Sequence, residues 1–354
     1  MKKIFFTLLI ATMALGFSVN AQEEEEEAAG VSISGTVDTY YRATLDRGTQ
    51  APGSSFANGS GFSMGMVNLI GSYEGKKAGV VADLVFGPRG IDAAFGAPYG
   101  GSLVNQMYAY WNVSDAVTLT FGQWNTFLGY EVISPAANFN YSTSYMFSWG
   151  PFNQSGLKAN FALSDNWSMM LAVMNPTDLL ETNIQSDGKF KKYTAGFQLG
   201  YSTDAGSIYL NSRYGDYSGD LFQIDLTGGF DISDSFYFGF NATMLDDGDA
   251  GGFSGAAIYQ KISLSDAFSL GARAEYFMIK DGYLGVIGLD PDGDGNVIDL
   301  TLSANYSVGN LTIIPEFRID MASEDSWIEG DGSASSPTAT SSLSSFLLAA
   351  VYSF

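Results

Sequence analysis

The chain of 354 residues has no cysteine and no histidine, and only 16 lysines and arginines stand against 38 acidic residues. Without cysteine there can be no disulfide, no thiol nucleophile and no lipid-modified N-terminal cysteine. Without histidine, the usual general base of a hydrolytic site is missing. A net charge of −22 excludes nucleic acid as a partner, because phosphates demand the opposite sign. Beyond the first 21 residues, no apolar run approaches the roughly 20 residues that a transmembrane helix needs.

The start of the chain reads as a secretory signal peptide over residues 1–21. Met1-Lys2-Lys3 is basic, Ile4 to Phe17 is apolar but too short to span a bilayer, and Val19-Asn20-Ala21 forms a small-residue cleavage site. Gln22 and the run Glu23 to Glu27 follow, a stretch of like charge that repels itself. Residues 22–30 are therefore expected to be an acidic, solvated periplasmic tail, with partner binding as the alternative. No plug domain is expected ahead of a first strand at Val31.

What the chain does have is alternation, together with 42 glycines, 20 tyrosines and 26 phenylalanines. From Leu311 to Met321 the odd positions are apolar apart from Pro315, while Glu316, Arg318 and Asp320 share the other face. Three charges cannot face lipid, so that face must be a lumen. Ile298, Leu300, Leu302, Ala304 and Tyr306 alternate with polar residues in the same way, as do Phe222, Ile224 and Leu226. The final stretch, Phe346 to Phe354, places apolar side chains at every second position and ends on an aromatic. Period 2 throughout predicts an all-β fold: a transmembrane antiparallel β-barrel of about 16 strands over residues 31–354.

The connections alternate in length, which orients the barrel. Ser114-Asp115, Ser164-Asp165, Ser233-Asp234, Ser265-Asp266 and three further turns at 74–77, 204–206 and 308–310 are short and rich in turn formers. Longer polar segments lie between them. Short turns mark the periplasmic side and long loops the outside, so both strand-region termini are expected to be periplasmic. Tyr73, Trp111, Trp167, Tyr201, Phe236, Tyr306 and Tyr352 all have outward parity beside short turns, as an interfacial girdle requires.

Lumen parity places Asp38, Arg42, Asp83, Lys158, Arg213, Asp225, Arg273, Glu275, Asp299, Glu316, Arg318 and Asp320 inside, as pore lining. Carboxylate pairs such as Glu316 and Asp320 are expected to line a pore and not to act as acid/base dyads, so no enzyme is expected. Opposed acidic and basic walls would favour small polar solutes, with a mild preference for cations. The longest connection, residues 125–154, is aromatic and carries one charge, Glu131. A segment so apolar would be a liability in water, so it is expected to fold into the lumen and set the size limit, with Glu131 at the constriction; packing over the rim or a subunit interface is the alternative.

Particular residues also carry a resemblance. Met66-Val67-Asn68-Leu69, Tyr73-Glu74-Gly75, Phe86-Gly87-Pro88-Arg89, Phe121-Gly122-Gln123, Gly129-Tyr130-Glu131-Val132-Ile133, Asn138 to Tyr145 and Gly150-Pro151-Phe152 are similar to the OmpL-like β-barrel porins. The match is best over the first half of the chain. It implies an outer-membrane channel of a Gram-negative bacterium, inserted by the barrel-assembly machinery and in contact with outer-membrane lipid, with small hydrophilic solutes as cargo and a homotrimer as one arrangement.

One loop carries a separate signal. Asp290, Asp292, Asp294 and Asn296 place oxygen donors at every second position around Gly293. That spacing is like a calcium loop, although the twelfth position is Thr301 and no bidentate glutamate is supplied. A plain turn before a strand is the alternative, and no other cofactor is expected. Taken together, the sequence reads as a porin for passive diffusion of small hydrophilic solutes and ions, with a substrate-specific channel or a structural, adhesive barrel as alternatives.

Overall fold

The computed structural model describes residues 30–46, 50–94, 103–179, 193–215, 220–329 and 338–354. The signal peptide and all of the acidic tail but Gly30 lie outside the described residues. Sixteen strands close into one antiparallel barrel: β1 (Gly30–Thr44), β2 (Gly61–Glu74), β3 (Ala78–Phe86), β4 (Val104–Ser114), β5 (Val117–Asn125), β6 (Asn153–Ala162), β7 (Trp167–Met174), β8 (Thr194–Thr203), β9 (Gly206–Tyr214), β10 (Phe222–Ser233), β11 (Phe236–Asp246), β12 (Gly252–Ser265), β13 (Phe268–Lys280), β14 (Gly295–Val308), β15 (Leu311–Ala322) and β18 (Ser342–Ser353). Each strand pairs with its sequence neighbour, and β18 pairs back onto β1. Reciprocal backbone bonds between Gly35 and Phe354, at 2.9 and 3.0 Å, tie the last residue into the closing seam. Closure removes every sheet edge, which hydrocarbon would otherwise leave unsatisfied.

The barrel is inside out by the standards of a water-soluble fold. Phe62 is 92% exposed and Val31 75%, and apolar side chains continue around the outer wall through Phe121, Val173 and Leu302. Asp299 and Asp320, by contrast, have no exposed surface. Soluble proteins rarely leave so continuous an apolar surface open, and the arrangement is stable only where that surface meets lipid. The girdle aromatics Tyr73, Trp111, Trp167, Tyr306 and Tyr352 are all exposed beside the short turns.

Three further elements lie in the long connections. Helix α1 (Pro88–Ala93) follows β3, with Pro88 in its first turn where a missing N–H costs nothing. Helix α2 (Tyr145–Trp149) lies within the connection from β5 to β6, and the Ser144 hydroxyl caps it by accepting from the Phe147 N–H at 3.1 Å. A small hairpin, β16 (Trp327–Glu329) with β17 (Thr338–Thr340), forms a separate two-stranded sheet. Its Trp327 is buried in a cluster with Leu245, Phe253, Phe277, Ile287 and Leu343, so the hairpin packs on inward side chains of the strands themselves.

Candidate functional site

The β5–β6 connection spans residues 126–152, somewhat shorter than the sequence suggested, because Asn125, Asn153 and Gln154 belong to strands. It lies inside the barrel. Its aromatic side chains press onto inward-facing glycines: a Cβ at Gly239 would meet the Tyr130 ring, one at Gly271 the Phe139 ring, and one at Gly196 the Phe127 ring. A strand position without a side chain lets a ring approach the wall this closely.

On β1 and β13–β15 the connection is fixed by charge. Glu316 accepts the N–H groups of Tyr141 at 2.7 Å and Ser142 at 3.1 Å. Glu275 does the same for Tyr145 at 2.7 Å and Met146 at 2.8 Å. Arg273 donates to the Ser142 carbonyl at 2.6 Å, and Arg318 to the Thr143 carbonyl at 2.7 Å. Each wall side chain thus satisfies main-chain groups that a segment taken out of water would leave orphaned. From β1, Asp38 accepts the Tyr141 hydroxyl. Burial, with the Asp38 carboxylate beside it, pushes the Tyr141 phenol up, so the hydroxyl remains a donor.

The strand register explains how these charges tolerate one another. Arg273, Thr301 and Arg318 are direct neighbours across β13–β15, and Glu275, Asp299 and Asp320 form the next row. Opposite signs therefore stand two residues apart along β13 and β15 and diagonally across to Asp299 on β14. Asp299 contacts Arg273 at 2.7 Å and Arg318 at 3.2 Å, while Arg318 contacts Asp320 at 2.7 Å. Glu131, from the connection itself, completes the network at 2.8 Å from Arg273, and its other oxygen accepts the Ser144 N–H at 2.8 Å.

The wall formed by β8–β11 is different. Gln198, Asn211, Gln223, Asn241 and Thr243 point inward there, with Asp225 as a hub that accepts the Asn211 amide at 2.8 Å, the Asn241 amide at 2.5 Å and the Gly129 N–H at 3.0 Å. Between this wall and residues 128–151 lies a small cleft of about 10 Å³, room for about one water molecule, lined by Leu128, Gly129, Met146, Phe147, Gly150, Pro151, Gln223, Asp225, Asn241 and Thr243.

Residues 30–354 match the family described as "Putative beta-barrel porin-2, OmpL-like". The chain belongs to this porin family. It is an outer-membrane, membrane-embedded porin of the passive-diffusion type, as the inverted burial of its barrel requires. Among solved structures it is similar to the outer-membrane channel DcaP of Acinetobacter baumannii, at 12% identity over 95% of this chain and 100% of that one, with a TM-score of 0.61. It is also similar to OmpT of Vibrio cholerae, at 12% identity over 94% and 100% with a TM-score of 0.57. The anion-selective porin from Comamonas acidovorans matches at 10% identity over 92% and 100%, with a TM-score of 0.60. Such identities speak for a shared fold alone. A search of curated proteins finds no match.

Within this porin all twelve charged residues of lumen parity lie on the inner wall. Asp38, Arg42, Asp83, Arg213, Asp225, Arg273, Glu275, Asp299, Glu316, Arg318 and Asp320 are buried, and Lys158 is half-buried with its ammonium 4.8 Å from the centre of the Trp124 ring. The structure brings Arg273, Glu275, Asp299, Glu316, Arg318 and Asp320 together on one wall, where both signs alternate. The expected opposition of an acidic and a basic wall is therefore not present, because strand register pairs the signs side by side. Asp83 sits apart, bound by Asn68, Asn105 and Gln106. Glu131 is inside the barrel but closed into its ion pair with Arg273.

Arg89 escaped the parity argument because it sits on α1 and not on a strand. Its guanidinium donates to the carbonyls of Ile133 at 2.9 Å and Tyr141 at 3.0 Å, holding the inward segment from above. Its place in Phe86-Gly87-Pro88-Arg89, among the residues that carry the family resemblance, was the available signal. In the candidate calcium loop, Asp290 accepts the N–H groups of Asp292 and Asp294, both at 2.9 Å, and Asp294 accepts the Asp281 N–H at 3.1 Å. Among the described residues no group of three or more His, Cys, Asp or Glu side chains is placed to hold a metal ion.

Proposed function

We propose that this porin is a narrow, non-enzymatic channel for small hydrophilic solutes and ions, in which residues 126–152 set the size limit. The observation that carries this reading is the segment's position, tied to the inner wall by Glu275, Arg273, Glu316 and Arg318. A 16-stranded barrel without an inward segment would leave a wide aqueous lumen. The wall carboxylates are taken up by backbone N–H groups, side-chain amides, hydroxyls or arginines, which argues against catalysis. Acidic residues at the long-loop end, among them Asp220, Asp246, Asp249 and Asp281, favour a weak preference for cations that fades as salt rises. We further propose insertion by the barrel-assembly machinery through the β18 seam. A homotrimer is the natural assembly to test, since the OmpT structure to which this chain is similar includes a trimer form.

The test is single-channel conductance in a planar bilayer. Deleting residues 135–148 removes no strand hydrogen bond, so the barrel should assemble, conduct several times more current and admit larger solutes. A deletion that folds yet conducts as the parent does would place the size limit elsewhere. A parent that never conducts would favour a plugged, structural barrel, the reading for which the density of segment-to-wall hydrogen bonds is the supporting observation.

A further inference from the structure

Resting on the porin reading, we infer that Lys158, with the Thr120 hydroxyl and the Asn160 amide beside it, forms a subsite on the inner wall of β5 and β6 for a small oxyanion, the carboxylate or phosphate group of a permeating solute. Of the twelve wall charges named from parity, eleven make hydrogen bonds within the protein. Lys158 makes none among the described residues. Its ammonium stands 4.8 Å from the centre of the Trp124 ring, and a ring face holds a cation in place without accepting its N–H groups. Those donors are left for something other than protein. Lys158 is only half-buried, and its ammonium keeps exposed surface.

Strand register keeps carboxylates away from it. The row through Lys158 runs Tyr110, Thr120, Lys158, Ala172, Gly196 and Arg213 from β4 to β9, and it holds no acid. Thr120 faces inward and is 4% exposed, and its hydroxyl has no hydrogen-bond partner among the described residues. Asn160, the next residue of β6 on the same face, is unbonded as well. An ammonium, a hydroxyl and an amide in one patch offer more donors than acceptors, which is what the oxygens of a carboxylate or phosphate take up. Lys261 on β12 supplies the contrast. Its ammonium lies 5.8 Å from the Tyr237 ring, but Asp231 stands on the same row, so an acid of the wall already competes for it. The subsite acts within the lumen, whereas the weak cation preference of the mouth comes from rim acids that salt screens.

The test is anion block in a planar bilayer. At constant ionic strength, exchanging a small share of the chloride for phosphate or acetate should lower the single-channel conductance saturably and out of proportion to the share exchanged. Lys158→Gln should raise the half-blocking concentration roughly tenfold, the effect of losing one charge-assisted hydrogen bond, and Thr120→Val should raise it by less. Lys261→Gln should leave it nearly unchanged. The chain has no cysteine, so one introduced thiol reports on this site alone. Lys158→Cys should lose the block, and 2-aminoethyl methanethiosulfonate, which puts an ammonium back on that side chain through a disulfide, should restore it. A thiol there that the reagent cannot reach, or a block that persists in Lys158→Gln, would overturn the subsite. An equal loss in Lys261→Gln would overturn it too, because the effect would then be one of net charge. Absence of block by either anion, in a porin that conducts chloride normally, would overturn the subsite and spare the porin reading. A barrel that passes no ion at all would overturn both.

Discussion

The two sides of the lumen solve the same problem by different means. Beside β13–β15, full charges hold the inward segment: two glutamates each take two successive N–H groups, and two arginines take carbonyls. Beside β8–β11, neutral amides do most of the work, and the segment contributes few contacts beyond Gly129 on Asp225, Phe127 on Gln198 and Tyr130 on Tyr237. Buried charges are unforgiving when a partner leaves, whereas neutral hydrogen bonds exchange readily with water or solute. The difference teaches that one wall anchors the segment by charge, while the other holds it by fewer and mostly neutral bonds.

The sharpest way to break this contrast is to remove an anchor. Arg273→Met leaves Glu131 and Asp299 buried without their shared cation and should cost roughly 3–5 kcal/mol. Because the strand ladder is untouched, the loss should fall first on the inward segment: higher single-channel conductance and new protease sites within residues 126–152. Gln198→Met, on the opposite wall, loses only bonds to Asn211 at 2.8 Å and Phe127 at 3.3 Å. It should cost about 1 kcal/mol and leave conductance nearly unchanged. Equal effects from the two changes would erase the distinction between the walls.

Glycine seats offer a second, smaller contrast. At Gly271 an added Cβ would lie 1.6 Å from the Phe139 ring, so Gly271→Leu must expel that ring and should cost roughly 1–3 kcal/mol. At Gly196 the nearest atoms are the far ends of Met174 and Phe127, both 2.9 Å away, which can turn aside. Gly196→Ala should therefore be milder. The midpoint of heat-induced unfolding on gels ranks the two, and a milder Gly271→Leu would contradict the seating.

Much of this architecture was legible in the sequence, for a physical reason. Period-2 alternation, turn chemistry and aromatic parity are local signals, and they gave a barrel of about sixteen strands and the inward face of the twelve charges named from parity, but not of Lys261, which lies over the Tyr237 ring. The inward course of residues 126–152 was expected from its lone charge and many rings. The pairing of Arg273 with Asp299 and of Arg318 with Asp320 was not legible, because it depends on the register between strands, which alternation alone leaves free. Gly196, Gly239 and Gly271 went unread as well. An inward-parity glycine facing a remote aromatic can be recognised only once the segment that fills it is placed. The small hairpin of β16 and β17 was hidden within a polar loop.

Glu131→Gln tests whether charge inside the anchoring wall reaches the permeating ions. The change keeps a side-chain oxygen for the Ser144 N–H and removes one of the two carboxylates paired with Arg273, which retains Asp299 at 2.7 Å, so the network loses one negative charge. Cation preference, read as the reversal potential in a salt gradient, should fall slightly with pore size unchanged. A large shift would mean that Glu131 faces the permeating ions directly.

The smallest effect is expected at the rim, in the loop from Asp281 to Asn296. Its acidic side chains are spaced like calcium ligands, yet the Asp290 carboxylate is occupied as a turn cap by two N–H groups, and Asp294 accepts a third from Asp281. Oxygens pointed at their own backbone must turn outward before a cation can gather them, and the loop supplies no bidentate glutamate. Protease cleavage between Asp281 and Asn296 should therefore proceed at the same rate in millimolar calcium and in chelator, and Asp292→Ala should change neither. Calcium-dependent protection that Asp292→Ala with Asp294→Ala abolishes would show instead that the rim binds calcium, and would set this loop apart from both walls of the lumen as a metal-responsive element.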